Sequence, residues 1–159
     1  MPELAAKDAC ELLDADHIAV KHLFVDYARL AYAPDAPGAA ERADIAMKIC
    51  NELTVHAQIE EEIFYPALRK VVPDAAGLLD EARQEHQQVK NLISQVREMG
   101  TADTTMDQLV ADLARAVEHH VKEERDELFP KAKAAKGLDL AALGQQLQER
   151  QQELEAEIA

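Results

Sequence analysis

The sequence HAQIEEEIFYP at residues 56–66 recurs as HVKEERDELFP at residues 120–130. In both copies a histidine precedes a glutamate by four residues and a proline by ten. Residues four apart on an α-helix lie on one face, so each copy directs an imidazole and a carboxylate to the same side. The repeat therefore predicts two similar helices, each with a His-x-x-x-Glu pair. The prolines predict a kink or an early end in both helices.

The segments before the two copies also match each other. Asp16-His17 lies in a helical pattern before the first copy, and Glu85-His86 lies in one before the second. Pro- and Gly-containing breakers separate these patterns, and Thr101 to Thr104 offer N-cap residues for the fourth. The chain is thus predicted to form two helical hairpins. The predicted helical segments are about 3–32, 39–71, 75–99 and 104–135, followed by a polar segment from 139 to the C-terminus.

Composition and connectivity predict an all-α fold. Only 5 Gly and 6 Pro occur in 159 residues, and Ala, Leu, Glu and Gln are abundant, which favours helix. Long helices with short links indicate an up-down-up-down four-helix bundle with a short C-terminal fifth helix. The length suits one domain, 1–159, with the bundle at about 3–135 and the appended helix at about 139–158.

The charge and the cysteines limit the classes of function. A formal net charge of −14 argues against binding nucleic acid or anionic membranes. The sequence has no apolar run long enough to span a membrane, and its N-terminus does not resemble a signal peptide. With only Cys10 and Cys50, a reduced cytoplasmic setting is expected, although a disulfide between them is an alternative. No protein partner can be identified.

Four histidines and two glutamates fall within the apolar stripes of the predicted helices. A single inward histidine is usually a core residue, but that interpretation weakens when the pattern occurs twice. Buried glutamate is costly unless it is paired or binds a metal. The six candidate metal ligands are His17, His56, Glu60, His86, His120 and Glu124.

The number and type of these donors indicate the metal. Six ligands are too many for one tetrahedral zinc ion and suit two metals bridged by carboxylates. Imidazole and carboxylate donors without thiolate favour iron, with manganese as second choice. His22 and His119 lie off the stripes and are expected not to be ligands. Four acidic residues are expected to be solvated or to contact the ligands without binding the metal: Glu61, Glu62, Glu123 and Asp126.

Together these motifs resemble the hemerythrin-like, or HHE cation-binding, domain family. They span most of the chain, and the pattern from Leu140 to Leu147 is similar to the closing helix of bacterial members. The resemblance implies a non-haem di-iron centre inside a four-helix bundle, with Glu60 and Glu124 bridging the irons. It also implies an oxo or hydroxo bridge. The competing ferritin-like class uses Glu-x-x-His, and no histidine here follows a glutamate by three residues.

The sequence departs from the oxygen-carrying hemerythrins at two positions. The carriers have a second histidine four residues after the one that His86 matches, where this chain has Lys90. They also have an aspartate five residues after the last histidine, where Arg125 stands, and Glu124 takes that role. The missing donor leaves a coordination position open to a small ligand, or a nearby Tyr or Glu fills it.

These departures favour a reaction with a small ligand over reversible carriage of oxygen. The sequence predicts a protein that reacts with a small oxidant, hydrogen peroxide, in catalase-like stress defence. The alternative is a protein that binds or senses O2, NO or iron without turnover, and a third hypothesis is a bundle that binds a partner through its acidic surface. No catalytic residue is assigned, but Tyr27, Tyr32 and Tyr65 are candidates for a general acid.

Overall fold

The computed structural model describes residues 7–32, 38–99 and 102–158, and within these ranges it contains helices and no strands. The α-helices are α1 (Ala9–Ala31), α2 (Ala39–Ile59), α3 (Tyr65–Val71), α4 (Ala76–Glu98), α5 (Thr104–Glu123), α6 (Phe129–Ala134) and α7 (Leu140–Ile158). Two turns of π-helix, Glu60–Phe64 and Glu124–Leu128, join α2 to α3 and α5 to α6. The predicted helical bundle with a fifth C-terminal helix is confirmed.

Capping residues determine where three of the helices begin. The side chain of Asp8 accepts a hydrogen bond from the backbone of Glu11, and the side chain of Glu11 accepts one from the backbone of Asp8. This capping box places the start of α1 directly after Asp8. The predicted start fell among residues 1–6, which lie outside the described part of the chain. Asp103 caps α5 within the predicted stretch, and Gly38, with φ of 78°, precedes α2 in a conformation that glycine adopts readily.

Four long helical rods pack side by side in a closed ring. They are α1, α2 continued by α3, α4, and α5 continued by α6. α1 packs against α2, α2 against α4, α4 against α5, and α5 against α1. Rods that follow each other in the chain are therefore neighbours, as in an up-down-up-down bundle. Of the breakers predicted at residues 33–38 and at Gly100, only Gly38 lies within the described residues. Within the described ranges, no helix is both long and apolar enough to cross a membrane.

The C-terminal helix α7 lies across α1 and α2. It buries Leu143, Leu147 and Leu154 in the core. Gly144 allows this close approach, since a Cβ atom there would lie 2.4 Å from the backbone oxygen of Lys7. The fifth helix therefore covers the first hairpin.

The apolar core consists of two clusters separated along the bundle. On α1, Leu13 belongs to the first cluster and Val20 to the second, with His17 between them. The other rods repeat this arrangement, so a polar layer crosses the bundle between the clusters. Cys10 lies in the first cluster and Cys50 in the second, and both are buried free thiols.

Candidate metal centre

The polar layer contains four histidines, one from each rod, and two glutamates that each begin a π-helical turn. All six side chains are buried, and the two glutamates are 0% exposed. The members of the layer are His17, His56, Glu60, His86, His120 and Glu124. The structure thus brings together all six side chains that the sequence singled out as candidate ligands.

Each π-helical turn precedes a proline. In a regular α-helix the ring of Pro66 would clash with the carbonyl four residues earlier, and proline has no N–H to donate. The helix widens here, and the N–H of Tyr65 donates to the carbonyl of Glu60, five residues back. The N–H of Phe129 donates to Glu124 in the same way. The prolines therefore follow a widened turn that starts at each buried glutamate, a feature frequent at functional sites.

Each buried carboxylate contacts histidines from both hairpins. The shortest nitrogen–oxygen separations are 3.2 Å from Glu60 Oε1 to Nε2 of both His56 and His86, 3.0 Å from Glu124 Oε1 to His17 Nε2, and 3.2 Å from Glu124 Oε1 to His120 Nε2. The donor atoms fall into two overlapping groups, and the atoms of each lie within 4.8 Å of one another. Glu60 belongs to both groups. It therefore occupies the position expected for a carboxylate that bridges two cations.

Several buried polar atoms of this layer lack a hydrogen bond within the described structure. They are both carboxylate oxygens of Glu60, Nε2 of His56 and Nδ1 of His86. Glu60 Oε1 and His56 Nε2 are 3.2 Å apart, but their orientation does not make a hydrogen bond. Because unsatisfied buried charge is costly, the layer fits a bound cation better than a self-sufficient polar network. Imidazole and carboxylate are donors that divalent metals accept.

The charges of the layer depend on one another. Burial favours a lower pKa for His56, but the carboxylate of Glu60 outweighs it and holds that pKa well above its usual range. Burial favours a higher pKa for Glu60, yet the facing histidines hold it well below the ordinary value. Burial and Glu60 both oppose ionisation of Glu124, but His120 helps to lower its pKa to about 2. The carboxylates are therefore held ionised and the facing imidazoles of His56 and His120 protonated, and a bound cation would take the place of the imidazole protons.

On its outer side, each histidine faces a second carboxylate. The Nδ1 separations are 3.4 Å from His17 to Asp14, 3.1 Å from His56 to Asp16, 3.9 Å from His86 to Glu61, and 2.8 Å from His120 to Glu85. Three of these distances are within hydrogen-bonding range, whereas Nδ1 of His86 has no hydrogen-bond partner in the described structure. Such carboxylates fix the ring orientation and increase the basicity of the inner nitrogen.

The sequence interpretation did not identify the orienting roles of Asp14, Asp16 and Glu85, whereas Glu61 was expected either to be solvated or to contact a ligand. Asp16 and Glu85 were recognised only as parts of Asp-His and Glu-His motifs, yet each contacts the histidine of the other helix in its hairpin. Asp14 was not identified at all. Its spacing of three residues before His17 places both on one helical face and could have revealed it. Glu61 lies outside the ligand set, as expected, with Oε1 3.9 Å from His86 Nδ1.

Each of the four outer carboxylates has a further partner. Arg125 Nε donates to Asp14 at 2.6 Å, Gln151 Nε2 donates to Asp16 at 2.9 Å, Lys90 Nζ donates to Glu61 at 3.0 Å, and His119 Nε2 lies 3.1 Å from Glu85. The two residues at which the sequence departs from the oxygen carriers, Lys90 and Arg125, thus both hold outer carboxylates. Lys90 has a side chain that is 46% exposed. It does not enter the polar layer.

Tyr65 brings a hydroxyl group into the layer. Its Oη donates to Glu124 Oε2 at 3.2 Å and lies 3.2 Å from His120 Nε2 and 3.4 Å from His86 Nε2. Burial, and then the charges of Glu124 and Glu60, hold the pKa of Tyr65 well above its usual range.

The other two candidate tyrosines lie away from the layer. Tyr27 donates to Asp107 in the second apolar cluster, and Tyr32 is 69% exposed. In the second copy of the repeat, Phe129 stands at the position of Tyr65 and stacks on His17, with ring centroids 6.0 Å apart. Only one of the two copies therefore supplies a hydroxyl group.

A small cavity of about 30 Å³ adjoins the layer. The four histidines line it together with branched apolar side chains, among them Val20, Leu53, Val89 and Val117. A single water molecule needs a cavity of about 10–15 Å³, so this one has room for a molecule of about two heavy atoms. A small, mostly apolar space therefore lies next to the donor atoms.

The two remaining histidines lie outside the layer. His22 is exposed on α1. The side chain of His119 is 65% exposed, and its Nε2 lies 3.1 Å from Glu85 and 3.3 Å from Glu123. Burial, and then the neighbouring carboxyl of Glu85, raises the pKa of Glu123 to about 7. Neither histidine contributes a donor atom to the buried layer.

Comparison with known proteins places these features in a family. The family model of the hemerythrin HHE cation-binding domain matches residues 8–132. The crystal structure of a hemerythrin HHE cation-binding domain-containing protein from Mycobacterium kansasii aligns with a TM-score of 0.77 at 25% sequence identity. The alignment covers 95% of this chain and 89% of that one.

A curated protein also matches part of the sequence. A DNA nickase from Nostoc sp. (strain PCC 7120) is 32% identical over 82 residues. The matched stretch is 52% of this chain and 23% of the nickase, so this chain spans less than a quarter of that relative.

Proposed function

The chain belongs to the hemerythrin HHE cation-binding domain family, and on this basis we propose that it holds two non-haem iron ions and uses them to decompose hydrogen peroxide. The observation that carries the proposal is the carboxylate of Glu60. It is fully buried, its oxygens lack hydrogen bonds, and it belongs to two overlapping groups of donors. The proposed ligands are His17, His56, Glu60, His86, His120 and Glu124.

Two bound irons would supply a two-electron couple, which oxidises one hydrogen peroxide to O2 and reduces another to two molecules of water. The chain itself supplies orientation and proton positions. Hydrogen bonds to three of the outer carboxylates fix the rings of His17, His56 and His120, with Nε2 facing the layer. Both glutamates begin π-helical turns within long helices, which place their carboxylates between the four imidazoles.

We propose that Tyr65 is the side chain that donates and accepts a proton during the reaction. Its hydroxyl already donates to Glu124 Oε2 and lies beside His120 and His86. A buried hydroxyl at this position can donate a proton to an oxygen atom of the substrate and accept a proton again afterwards. Neither of the other tyrosines shares this placement.

The cavity supports a small substrate. Its volume of about 30 Å³ admits hydrogen peroxide but excludes bulky organic peroxides. O2 and NO have similar size, so the same cavity also favours a second candidate, reversible binding of a diatomic gas without turnover.

Cleavage of DNA is not part of the proposal. The nickase relative is matched over only 23% of its length. The formal charge of −14 opposes approach to a phosphate backbone, whose binding depends on positive side chains.

Oxygen evolution measured with an electrode tests the proposal. Preparations loaded with different amounts of iron receive hydrogen peroxide, and we expect the rate of O2 release to rise in proportion to iron content. Protein reconstituted with zinc is the matched control, because zinc has no redox chemistry. Bleaching of the iron absorption without O2 release, together with reversible O2 uptake by the reduced protein, would replace peroxide decomposition with the binding function.

A further inference from the structure

A second group of potential ligands lies on the outer face of the hairpin formed by α4 and α5. It consists of Glu85, His119 and Glu123, each of which immediately precedes a member of the polar layer. His119 Nε2 lies 3.1 Å from Glu85 Oε2 and 3.3 Å from Glu123 Oε1. The three donor atoms lie within 4.8 Å of one another. One imidazole and two carboxylates thus converge on a single point at the protein surface.

In the first copy of the internal repeat, the equivalent helix face is an ordinary apolar packing surface. His119 and Glu123 of the second copy correspond to Val55 and Ile59 of the first. Val55 and Ile59 are buried in a core cluster that includes leucines of α7. The second hairpin therefore carries ligand side chains where the first carries apolar contacts, and the side chain of His119 is 65% exposed.

The charge of the cluster supports the same interpretation. The other three outer carboxylates have a fixed neutralising or amide partner in Arg125, Lys90 or Gln151. Among the described residues, Glu85 forms ion pairs only with histidines, and it lies beside the second carboxylate of Glu123. Glu123 likewise pairs only with His119 among the described residues, so no lysine or arginine there competes with a divalent cation for either carboxylate.

We propose that Glu85, His119 and Glu123 form an exchangeable binding site for one divalent transition-metal ion. Nitrogen and carboxylate donors of this kind suit Zn2+, Mn2+ or Fe2+, and the partial exposure leaves the remaining coordination to water. Glu85 connects this outer site to the buried centre, because its other oxygen, Oε1, lies 2.8 Å from His120 Nδ1. A cation bound at the outer site would therefore contact Glu85, the same carboxylate that lies against His120, a proposed ligand of the buried iron pair.

Calorimetric titration of the iron-loaded protein with zinc tests this site, since iron already fills the buried donors. We expect about one zinc to bind per chain, and His119→Ala and Glu123→Gln to weaken binding at least about tenfold. His22→Ala, which removes an exposed histidine from α1, should bind zinc as the unaltered protein does. Iron is measured before and after each titration, so that displacement from the buried centre is recognised.

Two outcomes would overturn the outer site. One is the absence of zinc binding to the iron-loaded protein, and the other is unchanged zinc affinity in His119→Ala. The readout is zinc binding at a surface histidine, so a failure of peroxide turnover would leave the result intact. Conversely, loss of the outer site would not affect the test of peroxide decomposition.

Discussion

The hairpin of α1, α2 and α3 and the hairpin of α4, α5 and α6 place the same donor types at the same level of the bundle. Each supplies one histidine from its first helix and a His-x-x-x-Glu pair from its second, and each widens into a π-helical turn at the glutamate. They differ in what surrounds these donors. The first hairpin contributes Tyr65 and is covered by α7, whereas the second contributes Phe129 and presents His119 to solvent.

This comparison separates two properties of the site. The features that the two hairpins share hold the proposed metal pair, because two equivalent sets of donors face each other. The features that differ carry the two further proposals, a proton donor on one side and an accessible cation site on the other. The following substitutions act on the shared features first and then on the differences.

Removing either buried glutamate should have the largest effect. Each carboxylate contacts histidines of both hairpins, so Glu60→Ala and Glu124→Ala should both lose most of the bound iron and all peroxide turnover. Elemental analysis and O2 evolution measure the two losses. Glu118→Ala, at an exposed position on α5, is the matched control and should behave as the unaltered protein. Retention of two irons by either variant would show that the hairpins do not share their carboxylates.

His86→Ala should have the next largest effect. It removes one buried imidazole and should lower iron content and alter the near-ultraviolet absorption. His22→Ala removes an exposed ring remote from the layer and should leave that spectrum nearly unchanged, and His119→Ala, which removes only an exposed partner of Glu85, should change it far less than His86→Ala does. Loss of iron in His119→Ala, with none in His120→Ala, would mean that the other member of the adjacent pair is the ligand.

Tyr65→Phe makes the two hairpins alike at the position before the proline. We expect iron content to stay near that of the unaltered protein while peroxide turnover falls about 100-fold, the scale of a lost general acid. Tyr32→Phe changes an exposed tyrosine and serves as the control. Unchanged turnover in Tyr65→Phe would show that the hydroxyl only fills space, and loss of iron would show that it holds the metal.

The smallest effect is expected from α7, which covers only one hairpin. Gln151→Ala removes the amide that holds Asp16 against His56, and should weaken iron affinity about tenfold. Competition with a chelator measures that change. Gln152→Ala, at an exposed neighbouring position, should show none. Equal affinities for these two variants would limit α7 to a packing role.

The shared features were predictable from the sequence because local spacing encodes them. The four-residue interval from His56 to Glu60, repeated from His120 to Glu124, predicts both the helices and the candidate ligands. The structure confirms the helical bundle and gathers the six side chains into one layer. That they bind metal as ligands stays a prediction.

The differences in residue type between the hairpins are visible in the sequence, but their contacts were not predictable, because these join distant parts of the chain. The partner of Asp16 in α7, Gln151, is separated from it by 135 residues. Which of the three tyrosines brings its hydroxyl into the layer depends on packing, and that of Tyr65 lies 3.2 Å from His120 Nε2.

The π-helical turns, which both hairpins share, were also not predicted. They precede prolines, for which the sequence predicted only a kink or a helix end.

Metal analysis of the protein as isolated tests the central claim most directly. The account predicts close to two irons per chain and the near-ultraviolet absorption of a coupled iron pair, both lost together in Glu60→Ala. One tightly bound zinc per chain in a four-coordinate site, with no iron taken up on reconstitution, would contradict it.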